Sequence, residues 1–488
     1  MDKVISRIDA LVPTLQEEYG VPGVGIAMVK DGAVAYARGF GVLEQGGQNP
    51  VDENTLFAIG SCTKAFTATA VGLLVQEGKL GWDDLATRYL PYFQLFDPVD
   101  TRAVTVRDLL CHRAGLPTFG GDLIFYGSTY TDEEVLERVR LIPPAFRLRA
   151  GYGYANIMYL AAGLVIQKVS GMGWDDFVRT RLIEPLGMDR TLTRPELLPG
   201  VQNVAQPHQE YNKQLIKVPY IPFHSGAPAG SIVSSPADMA KWLLFQLGGG
   251  KVGETQLVAP SILQETRTPH ALIPIPADAR TLVPRRHFSA YGLGWTLEDY
   301  GGRLVCMHSG GVDGMQAWAL FIPEEQFGLV ILTNRIPQAL TSTVNRVAID
   351  ALMGFHDRDW HAVIKEQSRK EDANAEKQWK ELEAARLTDT SPSLPLAAYA
   401  GTYLSPIYGR AAITELGGQL QIHLDPHPQA DSPLEHWHAD TFFCRWTYPS
   451  LEESFIHFQI GLNGKVESLK FKVNDYVDPL EYAFRRVE

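Results

Sequence analysis

The stretch Ser61-Cys62-Thr63-Lys64-Ala65-Phe66-Thr67-Ala68-Thr69-Ala70-Val71-Gly72-Leu73-Leu74 reads as an amphipathic helix together with its start. Phe66, Thr69, Ala70, Leu73 and Leu74 share one face, and Gly78 follows as a stop. Upstream, residues 24–29 and 33–37 are two apolar runs joined by Lys30-Asp31-Gly32, and Asp-Gly between such runs signals a hairpin. Before them, Met1-Asp2-Lys3-Val4-Ile5 opens an amphipathic helical pattern, so the order at the start is helix, strand, strand. Downstream, helical and loop patterns dominate to about residue 285. Strand patterns return at 293–295, 303–308, 317–322 and 329–333, with residues 323–328 turning between the last two; links this short favour antiparallel pairing. One sheet is thus drawn from both ends of the region around a large helical insertion. The expected class is α/β: an antiparallel sheet flanked by helices, plus an all-helical part.

Further on, residues 357–386 are rich in Lys, Glu, Ala, Arg and Gln and predict a polar helix. Thr388-Asp389-Thr390-Ser391-Pro392-Ser393-Leu394-Pro395 reads as a linker. Short alternating strands follow at 420–424, 454–460 and 468–473, with turns at Gly417-Gly418 and Asn463-Gly464, as in a small antiparallel barrel or sandwich. The expected organisation is a first domain over 1–386, a linker over 387–395 and a second domain over 396–488.

Composition bounds the function. The 488 residues carry 44 Lys+Arg against 56 Asp+Glu, a formal charge of −12, which repels a polyanion and argues against nucleic acid as partner. With 45% hydrophobic and 20% charged residues the chain has ample material for buried cores. Apolar runs at 65–75 and 160–166 fall short of the ~18–20 residues that cross a bilayer, so no membrane span is expected. The start lacks the basic and apolar regions of a secretory signal, and the expected location is the cytoplasm. Cys62, Cys111, Cys306 and Cys444 sit far apart without C-x-x-C spacing and are expected to be free thiols, with no zinc site. His436 and His438 share a strand face, but two histidines without a third ligand are more often structural, so neither metal nor cofactor is expected.

Three elements carry chemistry. Ser61 and Lys64, three apart at a helix start, face the same way, which puts an amine within reach of a hydroxyl. The unpaired amides and positive dipole end there stabilise an oxyanion beside Ser61. A hydroxyl needs a base to become a nucleophile, and a desolvated Lys serves; the plainer alternative is an N-cap Ser beside a solvated Lys. Tyr154-Ala155-Asn156 supplies a phenol and an amide just before a helical run, the alternative being a buried aromatic whose hydroxyl is merely satisfied. Met307-His308-Ser309-Gly310-Gly311 ends a predicted strand, where glycines let a substrate lie along the sheet edge and the Gly311 amide can be a second oxyanion donor. The G-x-S-x-G, Walker, Rossmann and H-E-x-x-H patterns are absent, and Ser309 lacks the flanking residues of a trypsin-like nucleophile.

Read together and in this order, these elements resemble the serine β-lactamase and penicillin-binding-protein superfamily, in its class C β-lactamase, D-aminopeptidase and esterase branch. The resemblance extends over residues 20–335 through Val21-Pro22-Gly23-Val24, Lys79-Leu80-Gly81-Trp82-Asp83-Asp84, Val106-Arg107-Asp108-Leu109-Leu110-Cys111-His112-Arg113-Ala114-Gly115-Leu116-Pro117, Pro228-Ala229-Gly230-Ser231 and Ser235-Pro236-Ala237-Asp238-Met239. It implies that Ser61 is the acylated nucleophile, Lys64 and Tyr154 its proton-transfer partners, Asn156 a ligand of the substrate amide, and His308-Ser309-Gly310 the counterpart of the K-T-G strand. The segment from Tyr399-Ala400-Gly401-Thr402-Tyr403 onward is similar to the lipocalin-like domain of D-aminopeptidase-type and self-compartmentalising peptidases, where it caps, shapes or oligomerises.

Two departures bear on the substrate. His308 stands where β-lactamases carry Lys, as in D-aminopeptidases and esterases. Leu148-Arg149 replaces the Pro-Gly that relatives carry upstream of the tyrosine, and Arg149 reads either as a contact for an acidic substrate or as a surface charge. The resulting expectation is a metal-free serine hydrolase acting on D-amino-acyl or small peptide substrates as an aminopeptidase or amidase. A carboxylesterase, acyl transferase or β-lactamase uses the same site, and a penicillin-binding-like protein that acylates with scarce turnover is a further alternative. Homo-oligomerisation is left open.

Overall fold

The computed structural model describes residues 1–336 and 338–487. Helix α1 (Asp2–Tyr19) buries Val4, Ile8, Val12 and Leu15 along one stripe and ends at Gly20 in the left-handed region. Strands β1 (Gly23–Lys30) and β2 (Ala33–Gly41) pair across a two-residue turn in which Asp31 and Gly32 have φ of 51° and 80°, the hairpin that Asp-Gly predicts. The helical insertion follows, with α2 (Thr63–Gln76), α3 (Asn156–Ser170) and α4 (Pro236–Leu247) as its longest members. The sheet is completed by β3 (Ala271–Leu272), β4 (Ser289–Tyr291), β5 (Thr296–Tyr300), β6 (Arg303–Val312), β7 (Met315–Ile322) and β8 (Phe327–Thr333).

The strand order is β2-β1-β8-β7-β6-β5-β4-β3, antiparallel throughout. The early strands therefore close on the late ones, as the two-ended reading expects. Alternation sorts the side chains of β1 between two cores. Val24, Ile26 and Met28 join α1 and α5 (Gln338–Met353), whereas Ala27 and Val29 face the core of α2, α3 and α4. Both faces are covered, so the strand reads as a continuous apolar run.

Two strand assignments made from the sequence need correction. Residues 293–295 are not a strand: the Gly292 amide donates to the Trp295 carbonyl at 2.8 Å, closing a turn between β4 and β5. Leu293 and Trp295 are apolar because that turn packs into the core beside Lys64, not because they alternate across a sheet. The strand expected at 303–308 runs on to Val312, carrying Ser309, Gly310 and Gly311 inside the ladder opposite Trp318, Ala317 and Gln316. Glycine gives no strand signal of its own, and the pairing with β7 supplies it.

The polar helix α6 (Trp360–Ala384) leads from α5 toward the C-terminal part and packs Trp379 at a tilt against Trp437 and edge-on to Phe443. That part is a closed antiparallel barrel of β9 (Gly401–Ser405), β10 (Gly409–Leu416), β11 (Gln419–Leu424), β12 (Asp431–His438), β13 (Thr441–Arg445), β14 (Glu453–Ile460), β15 (Val466–Phe471) and β16 (Tyr482–Arg486), with β9 pairing β16. Alternate residues such as Tyr403, Phe442, Phe458 and Phe471 fill it with aromatic rings. Among the described residues no helix is long and apolar enough to cross a membrane.

Candidate active site

A short 3-10 turn, Gly60–Cys62, delivers the chain into α2, and Ser61 sits in it rather than at the helix cap. One turn on, Lys64 is fully buried and donates to Ser61 Oγ at 2.9 Å and to the Ala229 carbonyl at 2.7 Å. The N-cap alternative is therefore not realised: the hydroxyl faces the amine. Burial among apolar groups disfavours the ammonium and lowers the Lys64 pKa from 10.5 to about 7, against the upward pull of Asp122 and Cys62. The amine is poised to exchange a proton near neutral pH.

Tyr154 shares a hydrogen bond with Ser61, and the Lys64 ammonium lies 4.8 Å from its ring centroid. Burial drives the phenol pKa well upward, more than the Ser61 hydrogen bond lowers it, so the phenol is neutral and able to donate. His112 supports it from behind, its ring centroid 4.1 Å away and its Nδ1 accepting from the Ala155 amide at 3.0 Å. That bond leaves the proton on Nε2, which is buried without a partner. Asn156 opens α3 and donates through Nδ2 to Asp122. Asp122 is buried, its pKa is raised chiefly by desolvation, and its Oδ1 has no partner.

Opposite this group, β6 runs past the 3-10 turn at van der Waals range. A side chain at Gly310 would place its Cβ 1.9 Å from the Ile59 carbonyl and 2.7 Å from the Ser61 amide nitrogen, and Gly60 adopts φ of 49° with the Gly311 backbone against it. Only glycine permits this approach, which brings Gly310 against the Ser61 amide and Gly60 against the Gly311 backbone. Cys62 Sγ donates to the His308 carbonyl at 3.2 Å and ties turn to strand.

His308 reaches the site but not as an exposed ligand. Its Nδ1 faces the Ser309 carbonyl and so carries the proton, and Nε2 accepts from the Tyr291 hydroxyl at 2.7 Å. Burial and the neighbouring Lys64 lower its pKa from 6.5 to about 3, so the ring is neutral where the K-T-G lysine of β-lactamases is charged. Ser309 and Gly311 are exposed on the other face of the strand. Thus positions 61, 64, 154, 308 and 310 converge, with Asn156 joined to them through Asp122, whereas the Ser309 side chain points away, although the chain separates the group by up to 249 residues.

Arg149 is exposed, as the surface-charge reading has it, but its charge is paired within the fold. With φ of 67° it donates to both oxygens of buried Asp108, at 2.7 Å from Nη2 to Oδ2, beside Arg113 at 2.6 Å. The 106–117 motif is thereby a buttress: Asp108 pins two arginines and His112 backs Tyr154. Sequence reasoning missed Ala229, Tyr291, His112 and Asp122; the first three lay in or beside quoted segments, but a carbonyl ligand or a ring packed behind another leaves no spacing signature. His436 Nε2 meets the Ala439 carbonyl and His438 Nδ1 the Leu387 amide. Among the described residues no group of three or more His, Cys, Asp or Glu side chains is placed to hold a metal ion. The four cysteines are buried free thiols.

Comparison with known proteins shows the family and the fold. A family profile described as beta-lactamase matches residues 8–352, and one described as a domain of unknown function (DUF3471) matches 385–486. The unguisins hydrolase ungD of Aspergillus violaceofuscus is 30% identical over 440 residues, covering 83% of this chain and 75% of its own length. Penicillin-binding protein 4* of Bacillus subtilis is 25% identical over 347 residues, covering 67% of this chain and 71% of itself. The octameric penicillin-binding protein homologue from Pyrococcus abyssi has the same fold, with a TM-score of 0.66, 22% identity and full coverage of both chains.

Proposed function

The chain belongs to the beta-lactamase family of serine hydrolases, and from that premise we propose that it forms an acyl-enzyme on Ser61 and acts as an aminopeptidase or amidase on D-amino-acyl or small peptide substrates. The observation that carries the reading is the fully buried Lys64, with its pKa near 7 and its amine 2.9 Å from Ser61 Oγ. In this scheme neutral Lys64 takes the Ser61 proton as Oγ attacks the substrate carbonyl. The Ser61 and Gly311 amides hold the oxyanion. The tetrahedral intermediate collapses as a proton passes through the neutral phenol of Tyr154 to the leaving nitrogen, and the same relay run in reverse lets water release the acid. Asn156, its amide fixed by Asp122, keeps its carbonyl oxygen for a substrate N–H.

Two observations bear on substrate. A neutral His308 supplies no cation to hold the carboxylate of a β-lactam, which favours amides and esters without one. The name of a fungal relative, unguisins hydrolase, favours turnover over a silent acyl acceptor. The fold shared with an octameric homologue makes self-assembly part of the proposal, and the barrel over 396–488 is its appended domain.

The test is a panel of D- and L-amino-acyl amides, short esters and a chromogenic β-lactam, run beside Ser61→Ala. We expect the D-amino-acyl amides to lead, and Ser61→Ala to lose on the order of 10⁴- to 10⁶-fold in kcat. Wild-type turnover by Ser61→Ala refutes the assignment. Ester hydrolysis without amide hydrolysis moves it to an esterase, and a persistent acyl adduct in the intact mass moves it to a penicillin-binding-like acceptor.

A further inference from the structure

The two-residue turn Asp313-Gly314 joins β6 to β7, two residues beyond Gly311. Asp313 is buried and carries three hydroxyl donors. Tyr126 Oη donates to Oδ1 at 2.5 Å, Ser450 Oγ donates to the same oxygen, and Tyr448 Oη donates to Oδ2. Only Tyr126 comes from the hydrolase part. Tyr448 and Ser450 belong to the barrel, in the link between β13 and β14, and both are buried against the turn. The Tyr448 ring also stacks on that of Tyr126, with centroids 6.3 Å apart.

A carboxyl group removed from water needs such donors, since burying it unpartnered costs several times what an ordinary hydrogen bond contributes. Removing the barrel hydroxyls would leave Asp313 one side-chain donor and a reason to swing toward solvent, taking the end of β6 with it. A further tether of the turn is the bond from the His208 amide to the Gly314 carbonyl, at 3.2 Å. Donors for an oxyanion act through placement, and a displacement of about 1 Å is felt in the rate.

We infer that the barrel belongs to the catalytic apparatus: through Tyr448 and Ser450 it fixes Asp313, and Asp313 fixes the Gly311 amide against Ser61. Asp313, Tyr448 and Ser450 are positioning residues, and the segment whose family profile is described as a domain of unknown function acquires a stated one. This rests on the reading of Gly311 as an oxyanion donor.

The experiment uses the full chain carrying Tyr448→Phe, Ser450→Ala or both, with kcat and KM measured per active site titrated by a fluorophosphonate. Tyr211→Phe is the control, because it removes a hydroxyl that donates to the Trp446 carbonyl at the same interface, away from β6. We expect the double variant to lose about 10- to 100-fold in kcat, less than or comparable to deletion of an oxyanion donor, with KM within about twofold. Tyr211→Phe is expected to keep wild-type kcat. Wild-type kcat in the double variant overturns the inference, as does an equal loss in Tyr211→Phe. Should the double variant fail to fold, Tyr448→Phe alone decides, because it keeps the ring and loses only the hydroxyl; unchanged kcat there also overturns it. Failure of the fluorophosphonate to label wild-type Ser61 removes the parent reading, and this one with it.

Discussion

Around Asp313 a buried carboxyl has a hydroxyl on each oxygen, whereas around Ser61 the buried groups are short of partners. Asp122 Oδ1 and His112 Nε2 have none, and Lys64 is sunk in apolar surroundings without a carboxylate in contact. The two clusters lie at neighbouring points along β6, so the contrast is one of task. A satisfied network has one low-energy arrangement and holds position. An undersatisfied one keeps its pKa values displaced and its atoms ready for bonds that the resting protein does not make. Order is concentrated where the strand must not move, and reactivity where protons must.

Four substitutions test that contrast, beginning with the largest effect. Lys64→Met should abolish turnover, by about three orders of magnitude or more, while raising stability. The lysine's folded pKa, about 7, lies below its ordinary 10.5, so the unfolded chain binds more protons between these values and wild-type stability climbs with pH across that window. The cost of burying the ammonium, roughly 5 kcal/mol, is present in full below about pH 7 and gone above about 10.5. Urea titrations at pH 6 and pH 10 should therefore show the variant's advantage shrinking as pH rises, and an advantage that grows would contradict the buried-amine account. In the wild type, kcat/KM should rise with pH through about 7 if neutral Lys64 is the base; a fall there would assign it an electrostatic role.

Gly310→Ala comes second, since a methyl group 1.9 Å from the Ile59 carbonyl must push β6 off the Ser61 turn. Turnover should drop by about 100-fold or more, with KM less affected; an alanine variant of normal kcat would mean that the contact is not part of the chemistry. The smallest effects fall on the buttress. Asp108→Ala strands the guanidinium groups of Arg113 and Arg149 and should cost about 3 kcal/mol or more of stability. Arg149→Ala should cost about 1 kcal/mol, because its side chain is 44% exposed and Arg113 keeps the carboxylate paired. Neither the preference between acidic and neutral substrates nor KM should respond to Arg149→Ala. A changed preference would restore Arg149 as a substrate contact.

Much of this arrangement was legible beforehand. The pairing of Ser61 with Lys64 follows from helical spacing, the hairpin from Asp31-Gly32, and the two-ended sheet from where the strand patterns stop and resume. The misreadings share a cause. Leu293 and Trp295 looked like a strand because burial and alternation leave the same apolar letters. Gly310 and Gly311 looked like a strand's end because glycine records no side-chain preference. Arg149 is exposed as its surface-charge reading has it, but its partner went unseen because nothing local reveals a carboxylate 41 residues earlier in the chain.

The sequence by itself determined which side chains share a helix face, where the chain turns and which strands alternate, because those properties depend on neighbours a few residues away. Tertiary structure alone decided that Lys64 loses its proton near neutrality, that His308 is uncharged and that Asp313 is held by Tyr448 and Ser450. Each of these depends on removal from water or on a partner more than a hundred residues distant, as with the 135 between Asp313 and Tyr448. Desolvation and long-range contact exist only once the chain has closed on itself.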